Sequence, residues 1–498
     1  MHIGSLSKVI IWAVVLNPAV RGQVASGEEN AERLKQKALA LMDQGRVKEA
    51  AAMFREALKS APGDPEIFND LGVSLRKEGD FTGSLDALRA ALGLRPGDAR
   101  IQSNLAMTLH AMGRLNQAAA AMKRACDLAP EDFVLRRNLG ILLSDAGEEA
   151  RAEEELRRAI EQAPHDAENH RSLGRQLAKQ KRRSEALGEY ALALQLAPRV
   201  ADLRLDLGRL QFDAGDYDGA ARQYRACLEI DFSNSGCHQA LGSLLLTAGD
   251  LAAAEKELRQ AIKSDPNSSD AHRDLGSVLR KQAHFAEAAQ ELEIAVRLRP
   301  DDSATRYALA QTFEKLGRAS EAEVQRQAAQ EENRRKRDAS LATSDIILGT
   351  ELLQKGDAAA AEGKLQEAVR LNPRDPLAHY NYGLALLVEN RLDNAIAQFR
   401  AALELRSDDA DTLYYLGRAL LAKDQPAGAA TCLKQALGIN PDDAHAHNVL
   451  AVTLARMKDI AAAGNELHRA RALEPGNSLY ERNLACLERA MRDCDLVP

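Results

Sequence analysis

The feature that most constrains this chain is the return of the same landmarks every 34 residues. Leu71-Gly72 is followed by Gly79-Asp80 and closed by Pro96, Leu139-Gly140 pairs with Pro164, and Leu173-Gly174 pairs with Pro198. The pattern recurs as Leu241-Gly242 with Pro266 and Leu275-Gly276 with Pro300. A unit this short cannot bury a core by itself, so neighbouring units must stack and share one. Nine units run over 31–336 and four more over 342–477. Composition agrees with helices rather than strands, since Ala and Leu are abundant while aromatic residues make up 4% and charged residues 28%.

Each unit decodes as two helices. Glycines such as Gly113, Gly147, Gly215, Gly249, Gly317 and Gly356 end the first, and the closing proline ends the second, because proline cannot donate into a helix and biases its predecessor away from it. Counting from each unit's start, position 20 is Ala in twelve of thirteen units, with Ser84 the exception, and position 27 is Ala in twelve, with Cys227 the exception. Small residues at fixed positions mark close approach of helix backbones, where a larger side chain would overpack the contact.

The succession Leu-Gly, Ala, Ala, Pro at these spacings resembles the tetratricopeptide repeat, over about 31–477. The resemblance implies an all-α, right-handed superhelical solenoid of about thirteen helix-turn-helix repeats. A capping helix from Ser478 to about Arg492 is expected to cover the last of them. It also implies a groove lined by positions 2, 5, 6, 9, 12 and 13 of the first helices, holding peptides or partner proteins. Phe232 and Ser407 depart from the pattern by replacing the closing proline, and Arg334 stands there in unit nine. With no Gly or Pro between them, the second helix of unit nine is expected to continue from about Ala319 towards Asp338. Residues 337–341 then form a seam between two sub-arrays. The cluster Arg334, Arg335, Lys336, Arg337 reads as a solvated helix end suited to the C-terminal dipole.

The groove positions give two different linings. Units five to eight are polar and charged, with Arg171, Arg175, Asp206, Arg209, Arg273, Asp274, Arg280 and Lys281. Units ten to twelve are apolar and aromatic, with Ile346, Leu353, Tyr380, Leu384, Leu387, Tyr414, Tyr415 and Leu421, joined by Arg418. Tyrosine offers contact area at little entropic cost, so this second lining is a candidate binding face. The competing reading is that the same side chains pack on the neighbouring first helix. Asn104, Asn138 and Asn381 occupy position 6, where an amide can pair with an extended peptide backbone, similar to the asparagine ladder in the repeat region of the glycosyltransferase that attaches N-acetylglucosamine to proteins. The expected partner-binding set is therefore Tyr380, Leu384, Leu387, Tyr414, Tyr415, Arg418, Asn104, Asn138, Arg171, Arg175 and Asn381.

Catalytic signatures do not appear: there is no Gly-rich phosphate loop, nucleophile elbow or paired-histidine zinc helix, and the repeats leave no segment for a catalytic domain. No enzyme activity, cofactor or metal is expected. His170, His238, His272, His379 and His447 all fall at position 4 of different units, which repetition explains better than metal binding. Asp213, Asp216 and Asp218 lack the alternating spacing of a calcium loop and read as an interhelical turn. Cys227 and Cys237 read as two buried thiols, with a bridge open to them in an oxidising compartment. Cys486 and Cys494 can pair only if the last helix ends between them.

The net charge of −7 offers no positive field for phosphates, so nucleic acid is not an expected partner; the related pentatricopeptide class, an RNA binder, has a 35-residue period and a basic surface instead. Lys8 followed by the apolar run Val9 to Leu16 has the layout of an export signal, with cleavage expected after Gly22 and a flexible lead over 23–30. That run is too short for stable membrane insertion. Loss of Lys8 and Arg21 takes the charge from −7 to −9. The expected protein is a non-enzymatic scaffold, exported through its leader, with a cytoplasmic location as the alternative. It acts either as a free-standing adaptor or as an accessory subunit of a separate transferase or secretion machine.

Overall fold

In a computed structural model the described residues are 18–407, 409–489 and 496–497, and among them the chain forms twenty-six helices and no strand. The helices come in antiparallel pairs such as Pro65–Glu78 with Phe81–Leu94 and Pro376–Val388 with Leu392–Leu405. Local chemistry sets the ends. An aspartate precedes many first helices and its carboxylate accepts from the first free backbone N–H groups, as Asp98 does from Arg100 and Ile101 and Asp443 does from Ala446. Most first helices end on a left-handed residue. That residue is glycine in repeats such as the one holding Gly79, but Lys181, Ala283, Asn390, Asp424 and Lys458 adopt the same conformation.

The Leu-Gly landmark has a packing cause. A Cβ on Gly383 would lie 2.6 Å from the Phe399 ring, and one on Gly72 would lie 2.6 Å from Leu88, so this position must stay bare for the second helix to seat its large side chain. Alanines at positions 20 and 27, such as Ala118, Ala125, Ala254 and Ala261, are fully buried at the same contacts. Cys227, the exception at position 27, is bonded to Cys237 of the following repeat, with a Cα–Cα distance of 6.3 Å. The expectation of two unpaired thiols is therefore corrected: the close contact that elsewhere requires alanine brings these two sulfur atoms face to face. Cys486 is also buried and disulfide-bonded, and the last helix ends at Glu488; Cys494 lies outside the described residues.

The chain falls into two compact bodies on either side of the Glu291–Leu292 junction, which lies within helix Phe285–Leu298 and not at 337–341. Residues 337–341 instead sit inside one helix, Ala319–Gln354, of 36 residues. It serves as the second helix of one pair and the first of the next, since no proline interrupts it and its first glycine is Gly349. The basic cluster is thus mid-helix, where a terminal dipole does not act. Arg334 and Arg335 pair with Glu331, and Lys336 donates to the Asp301 carbonyl.

Residues 1–17 of the expected leader lie outside the described residues. The expected lead 23–30 is helical, part of Pro18–Asp43, and Asn30 ties it to Ser60 through a 3.0 Å hydrogen bond. At the other end, helix Ser478–Glu488 buries Tyr480, Leu484 and Leu487, and Arg492 lies outside the described residues.

Candidate functional site

Neighbouring first helices are staggered by one residue, so position 5 of one repeat meets position 6 of the next. In the N-terminal body these rungs are polar. Asn104 donates to Asn69 at 2.8 Å, Arg171 Nε to Asp206 at 2.6 Å, and Gln239 to Asp274 at 2.8 Å. Arg273 pairs with Asp270 and Asp274 on its own helix, and Lys281 reaches the Leu246 carbonyl. The charged lining expected to face a ligand is therefore largely spent on itself. Of the lining arginines, Arg175 stays mostly exposed, 3.9 Å from Asp206, and Arg209 is exposed as well. A cleft of about 600 Å³ opens beside Asn104, lined by Arg95, Asp98, Arg100 and Ser103 among others. Its arginines are engaged: both Arg95 and Arg100 grip Glu66 at 2.5 Å, and the Arg100 hydrogen bond holds that carboxyl below the ordinary glutamate range.

The position-4 histidines have a shared structural task that the sequence did not reveal. His170, His238, His272, His379 and His447 each place Nε2 against the carbonyl six residues back and Nδ1 against a side chain nineteen residues on. Arg136, Arg204 and Arg306 make the same two contacts from the same position. Position 4 is a latch between the preceding turn and the second helix. All five histidines are buried, so their ring nitrogens need these protein partners in place of water.

The C-terminal body carries a different face. Tyr380 and Tyr415 form its position-5 to position-6 rung through an edge contact of 5.9 Å, Tyr415 stacks on Phe399 at 6.3 Å, and Tyr414 meets Tyr415 at 5.0 Å. The Arg418 guanidinium lies 5.7 and 5.6 Å from the Tyr414 and Tyr415 rings. Tyr380, Leu384, Leu387, Tyr414 and Tyr415 are half-buried against the core, with part of each side chain free. Ile346 and Leu421 are instead buried and belong to the core. Burial pushes the Tyr380 and Tyr414 hydroxyls up. Partial desolvation by its surroundings, then the charges of Asp409 and Asp443, raises the carboxyl of the solvent-exposed Asp411 above its ordinary value.

The expected position-6 amide ladder does not form as read. Asn104 is taken by Asn69, and Asn381, buried, donates to the Leu377 carbonyl of its own helix and accepts from Thr350. Asn138 is half-buried. Asn448 and Asn483 hold the backbone of a segment beyond the helices, bracketing Val497. The signal was available: continuing the 34-residue count past 477 places Asn483 at position 6 of the last helix, directly after Asn448 at position 5.

Tetratricopeptide repeat models match residues 35–99, 69–133 and 348–410, and a second model of the same repeat matches 109–177, 211–279, 245–303, 386–453 and 420–485. Together they span well over half of the chain, which therefore belongs to the tetratricopeptide repeat family. It is a helical-repeat protein of a class that generally mediates protein–protein interactions. Among curated proteins no relative matches the sequence. Solved structures with a likeness include the APC/C hetero-tetramer Cut9-Hcn1, at 17% identity and a TM-score of 0.34 over 92% of this chain and 96% of that one. MamA is similar at 21% identity and a TM-score of 0.30, over 33% of this chain and 96% of that one. Likeness at this level adds nothing to the family assignment.

Proposed function

We propose that the chain is a non-enzymatic scaffold whose partner-binding face is the aromatic surface of the C-terminal body, centred on Tyr380, Tyr414, Tyr415 and Arg418. One observation carries this reading: the polar rungs of the N-terminal body are closed by side chains of the chain itself, whereas the tyrosines are stacked, rigid and half-exposed. Rigid aromatic groups beside an arginine are the residue types that anchor protein interfaces. The immobilised chain should capture partners from its native source, identified by mass spectrometry. Replacing Tyr380, Tyr414 and Tyr415 together by alanine should abolish that capture while helicity by circular dichroism persists. Unchanged capture would remove this face from consideration.

Export is part of the same proposal. The apolar run Val9 to Leu16 supports it, as does a disulfide between Cys227 and Cys237, a bond that persists in oxidising compartments. Among the described residues no helix is long and apolar enough to cross a membrane. Trp12 is the only tryptophan, so the processed chain should emit as a tyrosine protein, and tryptophan emission from the native material would argue against cleavage.

A further inference from the structure

Leu496 and Val497 lie against helix Ala444–Arg456 of the last repeat and the capping helix Ser478–Glu488. Asn483 Nδ2 donates to the Val497 carbonyl at 2.7 Å, and Asn483 Oδ1 accepts the Val497 N–H at 2.9 Å. The second Asn483 N–H goes to Asn448 Oδ1 at 2.7 Å, and Asn448 Nδ2 adds a 3.1 Å bond to the same Val497 carbonyl. Both backbone groups of one residue are thus read by one side-chain amide, itself held by its neighbour. Asn448 is 1% exposed and Asn483 0%, so these amides have little access to water as an alternative partner. Leu496, 8% exposed, joins the apolar cluster against which Tyr380, Tyr414 and Tyr415 also pack, while Val497 stays 39% exposed.

We infer that the Leu496–Val497 segment is a tethered ligand, occupying a backbone-reading peptide site at the end of the aromatic face and competing there with extended apolar peptides from other chains. The inference rests on reading that face as a partner groove. Three features support it. The hydrogen bonds use backbone atoms of the segment, which any extended residue supplies, so the amides recognise conformation and not sequence. The one deep side-chain contact is a leucine, which commits the occupant to an apolar residue preceding the bracketed one. Withdrawal of the segment strands two buried amides, so the site exchanges one extended backbone for another more readily than it empties.

The test uses a fluorescein-labelled peptide of residues 490–498 with serine in place of Cys494, its binding read by anisotropy. The full chain, its Leu496→Asp variant and a Leu496→Asp/Asn483→Ala variant are compared. The peptide should bind the Leu496→Asp chain at least tenfold more tightly than the unaltered chain, and the added Asn483→Ala change should cancel that gain. Equal affinity for the first two chains, equal affinity for the two variants, or no binding to any chain overturns the proposal. If Leu496→Asp lowers helicity, Val497→Pro, which puts a ring carbon where Asn483 accepts the N–H and leaves the Leu496 side chain unchanged, must give the same tenfold gain. Tyr414→Ala separates the two readings. Loss of partner capture in that variant, with no effect of the tail substitutions on peptide affinity, leaves the aromatic face standing and sinks the tethered ligand. Full capture by Tyr414→Ala with the tenfold gain intact does the reverse.

Discussion

The same diagonal, position 5 of one repeat to position 6 of the next, is occupied by Arg171 and Asp206 in the N-terminal body and by Tyr380 and Tyr415 in the C-terminal body. An arginine and an aspartate that meet at 2.6 Å with Asp206 only 9% exposed satisfy one another, and a ligand would have to break the pair before using either. Two aromatic rings in edge contact keep their outer faces available. A rung can therefore be full of functional-looking side chains and still be closed, because hydrogen-bonding capacity is exhausted by one good partner while apolar surface is not.

The largest effect that can break this comparison is on stability. Arg171→Ala leaves the buried Asp206 carboxylate without its main counter-ion and should cost about 3 kcal/mol, read as a lower denaturant midpoint, with partner capture unchanged. Loss of capture in a chain that remains folded would show the charged rungs to be a binding surface after all. Next comes the covalent tie in the same body. Cys227 and Cys237 close a short loop, so replacing both by alanine should cost about 2–3 kcal/mol by loop entropy, and alkylation without reductant should leave both cysteines unlabelled.

In the C-terminal body Tyr414→Ala should weaken partner binding about tenfold, roughly 1.4 kcal/mol, measured by titration calorimetry once a partner is in hand. A tenfold loss with little change in unfolding temperature would mark the ring as a contact surface; a large stability loss with intact binding would mark it as core. The smallest effect concerns Asp411. Its folded-state value is raised, so the charged form is disfavoured at neutral pH and the penalty is relieved as pH falls through that raised value. Asp411→Asn should stabilise the fold at pH 7 by less than about 1 kcal/mol, since the residue is exposed and its neighbours are screened, and the difference should vanish in acid.

Much of the architecture was legible because it repeats. Alanines at positions 20 and 27 are buried because a helix pair leaves room for nothing larger there, and a 34-residue count locates them without coordinates. Continuation of a helix beyond Ala319 was legible too, from the absence of Gly and Pro, yet its length was not. A breaker predicts where a helix stops, and its absence sets no end point. The candidate site was read less well. Tyr380, Tyr414 and Tyr415 do share one face, but Asn104 and Asn381 are consumed by neighbours, and Asn448 and Asn483 were passed over.

Sequence by itself determined the unit: two helices, their caps, the bare glycine and the small residues that let them close. These are local properties or contacts within one period, and periodicity repeats them until they are unmistakable. Which groove positions are spent and which stay open was decided only by the tertiary structure. The rung side chains, from Asn104 and Arg171 to Gln239 and Asn483, meet a residue 35 positions away, so their availability depends on the chemistry of a partner the local pattern does not contain.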